Sequence, residues 1–113
     1  TWTTLWEMYF KNYDAELGAR IDAATVYSYE AWNAGSGALA TFNTLEALAG
    51  IEAPTLSVAG SHDIICIPEF GGERLHKLIP NCEAAVFANS GHYPFIEESQ
   101  AFFGSLNEWL GRL

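Results

Sequence analysis

Two short apolar runs constrain this chain more than any other feature. Thr55-Leu56-Ser57-Val58-Ala59 and Ala84-Ala85-Val86-Phe87 are each followed by a polar turn containing glycine. Their apolar residues are nearly continuous and do not alternate, as expected of strands buried on both faces. Between them, Phe70 through Ile79 has helical character and is stopped by Pro80-Asn81. After them, Glu98 to Leu110 places Phe102, Phe103, Leu106, Trp109 and Leu110 on one helical face, with Ser99 as a plausible cap. Strand–helix–strand–helix with buried strands implies an α/β fold and a parallel strand pair. Two parallel strands cannot form a doubly covered sheet alone, so the remainder of the sheet is expected outside these residues.

The first part of the chain has a different character. Trp2, Trp6, Tyr9, Phe10 and Tyr13 fall at helical spacing, and Leu17, Ile21 and Ala24 continue the stripe after a break around Asn12-Tyr13-Asp14. Thr3 or Thr4 is a possible first cap, with Glu7 completing a capping box. A third helix is expected to start at Ser28, run through Trp32 and end at Gly35-Ser36-Gly37. The aromatic stripe reads first as core packing and second as a lid over an apolar pocket, with Trp6, Tyr9 and Trp32 as candidate substrate contacts. Thr41 to Gly50 is a connector with a helical turn at Leu45–Leu48. This divides the chain into a helical segment, 1–44, and an α/β segment, 45–113.

Composition removes several function classes. The chain has 113 residues, 14 acidic against 5 basic side chains and a formal charge of −9. Nucleic acid and anionic membrane surfaces are disfavoured as partners, because both require clustered Lys and Arg. No apolar stretch reaches the roughly 20 residues of a membrane span. No basic and apolar leader opens the chain, which points to the cytoplasm. Cys66 and Cys82 lack CxxC spacing and a companion histidine cluster, so no structural zinc is expected. They could equally be free thiols or one disulfide. No GxGxxG or phosphate-loop pattern is present, which argues against a cofactor-binding fragment, and no cofactor is expected.

The chemistry gathers at the two strand ends. The first strand runs into Gly60-Ser61-His62-Asp63, and the second into Asn89-Ser90-Gly91-His92-Tyr93-Pro94. Glycine permits sharp bends and close backbone approach, and Pro94 is expected to discourage an immediate helix. A carboxylate at one strand end and an imidazole at the next are the acid and base of a charge-stabilised pair. Histidine titrates near neutrality, which suits it to proton transfer. The adjacent Ser61-His62-Asp63 cannot act as a relay, because neighbouring side chains diverge. His62 and His76 are expected to face solvent.

These parts, in this order, resemble the C-terminal third of the α/β-hydrolase fold, and most closely proline-iminopeptidase-like and related capped esterase-like or carbon–carbon-bond hydrolases. The resemblance rests on Ile51-Glu52-Ala53-Pro54 through Asp63, on Ile79-Pro80-Asn81-Cys82-Glu83, and on Asn89 through Glu98. It covers Leu45 to Leu113 well and Trp2 to Ala34 loosely, as the end of a helical cap. It implies that Asp63 is the catalytic acid, holding the Nδ1 proton of the base His92. The family's Gly-x-Ser-x-Gly elbow is absent: no serine or cysteine has glycine at both the minus-two and plus-two positions. A nucleophile is therefore expected from an N-terminal segment of the same hydrolase present as a separate chain, giving a cleaved, heterodimeric enzyme that is inactive without it. An N-terminal Thr1 nucleophile would require cleavage of a longer precursor, and the Asp63–His92 pair points instead to a nucleophile of the usual kind. The implied substrate is a small ester, amide or peptide. A peptide amine would want an acidic anchor, for which Glu30, Glu69, Glu97 and Glu98 are candidates. The alternative is a non-catalytic interaction module that docks through its sheet edge and aromatic helices.

Overall fold

A computed structural model describes residues 2–113, and side chains from Leu5 onward. Thr1 therefore lies outside the described residues, and the side chains of Thr3 and Thr4, on which the capping box depends, lie outside the described side chains. The order is a 3-10 helix Trp2–Tyr9, α1 (Ala15–Ala24), α2 (Tyr29–Leu39), a 3-10 turn Leu45–Gly50, β1 (Thr55–Gly60), α3 (Gly72–Leu78), β2 (Cys82–Phe87), α4 (Pro94–Glu97) and α5 (Ser99–Leu110). β1 and β2 pair in parallel, from Thr55 opposite Cys82 to Gly60 opposite Phe87. The connection is α3, which packs on both strands. The expected α/β architecture is thus present.

Local chemistry accounts for several boundaries. Asp14 caps α1 by accepting from the Glu16 and Leu17 amides at 2.8 and 3.2 Å, and Ser28 caps α2 through the Ala31 amide at 3.2 Å. Three expectations are corrected. The first segment is a 3-10 helix, not α, and it ends at Tyr9, whose carbonyl accepts from His92 N. α2 does not stop at Gly35-Ser36-Gly37 but continues to Leu39. Glycine in a helix costs only about 0.5–1 kcal/mol, which weakens the helix without breaking it. Pro94 does not delay a helix but begins α4, because a first-turn position has no intrahelical use for the missing N–H.

Burial is uneven. Phe10, Ala59, Ile79 and Phe87 form the core, drawn from the first segment, the first strand, the end of α3 and the second strand. The strands were expected to be covered on both faces. Within these residues β1 buries Ser57, Ala59 and Gly60, whereas β2 buries only Phe87 and leaves Val86 53% exposed. Ile64, Phe70 and Val26 are likewise open to solvent.

Candidate active site

The two strand ends are locked together through backbone. Ser61 N donates to Phe87 O at 2.9 Å and His62 N to Ser90 O at 3.0 Å. Gly60 lies so close to the facing loop that a Cβ there would run into the carbonyl oxygens of Ser90 and Gly91. A Cβ at Gly91 would meet Tyr9 O at 2.6 Å. Both glycines are therefore required for three backbone segments to meet at one point.

That meeting point carries Asp63 and His92. Asp63 Oδ2 accepts from His92 Nδ1 at 2.9 Å, and the two side chains are 7% and 28% exposed. The other oxygen, Oδ1, accepts from the Ile65 and Cys66 amides at 2.8 and 2.9 Å. The carboxylate is thus fixed on both sides. An ionised carboxylate only accepts, so Nδ1 carries the hydrogen and the Nε2 lone pair is available. Among the described residues nothing hydrogen-bonds Nε2. The ring is held edge-on by Tyr9 and Tyr93, with centroids at 5.3 and 5.2 Å. Burial, and then the neighbouring Tyr9, push the Tyr93 phenol up from its ordinary value.

Two further carboxylates hold the histidine loop, and their role was not foreseen. Glu98 Oε2 accepts from Ser90 Oγ at 2.6 Å and Asn89 N at 2.9 Å. Glu97 accepts from Gly91 N at 2.7 Å and, through its other oxygen, from Asn12 N at 2.9 Å. The Ser90 hydroxyl, foremost, and the Asn89 amide hold the Glu98 carboxyl below its ordinary range. Glu97 and Glu98, named above as candidate amine anchors, thus both hold chain already present. Glu98 occupies the N-cap position of α5 but turns back to the loop, and Ser99 is the first helical residue instead of the cap. No motif signals this, since two adjacent glutamates before a helix read as ordinary first-turn acids.

The other candidates separate cleanly. Trp6 and Tyr9 line, with Leu5, Tyr27 and Tyr93, a cavity of about 140 Å³. Tyr9 and Tyr93 connect it to the His92 ring. Trp32 is not brought to it; it lies on α2, a helix with no buried residue, and is 55% exposed. His62 and His76 are exposed as expected. A larger groove of about 530 Å³ runs along β1 and includes Asp63, Cys66, His92, Pro94, Phe95 and Phe102 in its wall. Cys66 and Cys82 are both free thiols, and one ligand atom each of Asp63, Cys66 and His92 lie within 4.8 Å of one another.

A strand-end acid bonded to Nδ1 of a histidine on the next strand's loop leaves the imidazole able to exchange a proton at Nε2. The chain belongs to the α/β-hydrolase superfamily and holds the C-terminal part of that fold. It is 34% identical over 77 residues to a proline iminopeptidase of Clostridium botulinum, a match covering 68% of this chain and 26% of that protein. It is 31% identical over 71 residues to the AB hydrolase superfamily protein YclE of Bacillus subtilis, covering 63% and 25%. An esterase from Exiguobacterium antarcticum superposes with a TM-score of 0.82 at 25% identity, over 93% of this chain and 40% of that one. The chain thus spans about a quarter of the length of the curated relatives it matches. No protein-family model matches the sequence. Among the described residues, no helix is long and apolar enough to cross a membrane.

Proposed function

We propose that this chain supplies the acid and base of a hydrolase that cleaves a small ester, amide or peptide by nucleophile–His–Asp catalysis. The observation that carries this reading is the 2.9 Å bond between a buried Asp63 and the Nδ1 of His92. His92 Nε2 takes the proton of an incoming nucleophile and returns it to the leaving group, while Asp63 stabilises the imidazolium. The nucleophile comes from an N-terminal segment of the same hydrolase, since no Gly-x-Ser-x-Gly lies in these residues. The cavity walled by Trp6 and Tyr9 receives the apolar part of the substrate. The esterase and iminopeptidase relatives set the two substrate classes to compare.

The test is reconstitution. These 113 residues are combined with an N-terminal hydrolase segment bearing the elbow, and hydrolysis of a short-chain ester and of a prolyl amide is followed. The chain alone is expected to be inactive and the assembly active. His92→Ala is expected to lower kcat by about 10⁴-fold or more. The exposed Val86, Ile64 and Phe70 also favour a docking surface as such. If the His92→Ala assembly keeps the full rate, the pair is structural, and if the two segments assemble but hydrolyse nothing, the interaction-module reading replaces the enzyme.

A further inference from the structure

We propose that Asp63, Cys66 and His92 form a binding site for a soft divalent cation of the zinc and cadmium type, and that occupancy excludes the acid–base function. Three chemically different donors, from two chain segments joined only by the fold, lie within 4.8 Å of one another. Ligand atoms around a tetrahedral zinc ion stand roughly 3.3–3.6 Å apart, given Zn–N and Zn–O near 2.0–2.1 Å and Zn–S near 2.3 Å. The remaining contraction of at most about 1.5 Å is within reach of one rotamer change at the exposed Cys66.

The surroundings suit such an ion. A thiolate, an imidazole and a carboxylate together favour zinc-like metals over magnesium or calcium, which prefer oxygen alone. Asp63 is already oriented by two amides on Oδ1, the kind of outer support that fixes a metal-bound carboxylate. Among the described residues the Cys66 sulfur has no hydrogen-bond partner to give up. All three residues wall the open groove along β1, which leaves room for a water as fourth ligand. The net charge of −9 draws cations toward the chain.

Binding rearranges protons in a defined way. The Cys66 thiol releases its proton to solvent, and the imidazole hydrogen moves from Nδ1 to Nε2 so that the Nδ1 lone pair faces the metal. The Nδ1–H···Oδ2 bond is then lost and Nε2 can no longer accept a proton. A metal-loaded site is therefore catalytically silent. The binding claim stands on the three ligands; only this inhibitory consequence rests on the hydrolase reading.

Cadmium titration of the reduced chain tests the site, read by the ultraviolet thiolate-to-cadmium charge-transfer band and by calorimetry. One equivalent of cadmium is expected to bind, with the band absent in Cys66→Ser and retained in Cys82→Ser. Asp63→Asn and His92→Asn are each expected to weaken binding by at least about tenfold. The same band in Cys66→Ser, or undiminished affinity in both ligand variants, would overturn the site. In the reconstituted hydrolase, zinc is expected to inhibit reversibly by chelation, and Cys66→Ser to keep its own metal-free rate at the same zinc level. Full activity of a demonstrably loaded assembly would overturn the exclusion alone. Should no hydrolase be reconstituted, the cadmium result still decides the site.

Discussion

The loop Asn89–Tyr93 and helix α2 are held in opposite ways. Every turn of the loop is anchored from outside itself: Asn89 N and Ser90 Oγ by Glu98, Gly91 N by Glu97, and His92 N by Tyr9 O. Ser90 is fully buried. α2 has a good cap in Ser28 and no buried residue at all. The loop has no regular secondary structure and is fixed by contact; the helix is regular and buries none of its residues. Regularity and fixation are separate properties, and the histidine bonded to Asp63 sits on the fixed element.

Gly60→Ala should break this contrast most severely. Its Cβ meets backbone oxygens of the facing loop, which cannot move as a flexible side chain would. A loss of about 3 kcal/mol or more is expected in urea unfolding, as for severe overpacking. A variant as stable as the parent would show that the loop is not held as tightly as described. Ser90→Ala removes a fully buried donor to Glu98 and is expected to cost about 1–2 kcal/mol, with faster amide exchange at Asn89.

The same clamp should respond to acid. The folded Glu98 carboxyl is held below its ordinary value, foremost by the Ser90 hydroxyl. Its contribution is therefore complete above the unfolded carboxyl range and is lost as pH falls through the lowered folded value. Glu98→Gln should accelerate exchange at Asn89 near neutrality, and the difference from the parent should vanish on acidification. A difference that persists unchanged to low pH would assign the clamp to something other than the ionised carboxylate. The smallest effect belongs to α2. Gly37→Ala points its methyl into open space and should gain about 0.5–1 kcal/mol, seen as greater helicity by circular dichroism with no change at the His92 loop. A shift in the loop's exchange rates would show that the two regions are coupled after all.

Much of the fold and the centre of the site were legible because the signals are local. The apolar runs at Thr55–Ala59 and Ala84–Phe87, each ending in a glycine turn, became β1 and β2. The acid and the base stood one residue type at each strand end, so that only parallel pairing was needed to bring Asp63 to His92. What escaped reading depended on partners distant in sequence. Tyr9 gives its carbonyl to His92, which ends the first helical segment early, and Glu97 reaches across to Asn12. Gly35 and Gly37 read as a stop, yet a modest intrinsic cost spread over an eleven-residue helix is tolerated.

By itself, then, the sequence determined the two strands, the helices that follow them and the order of two chemically distinct strand ends, because periodicity and turn chemistry act over a few residues. The tertiary structure decided which acids serve the loop and which residues share a cavity. It also brought His92 to Asp63 and to Cys66, which stand three residues apart in the other segment. Such choices depend on angstrom-scale approach between segments, and at Gly60 and Gly91 that approach is set by the absence of a single carbon atom.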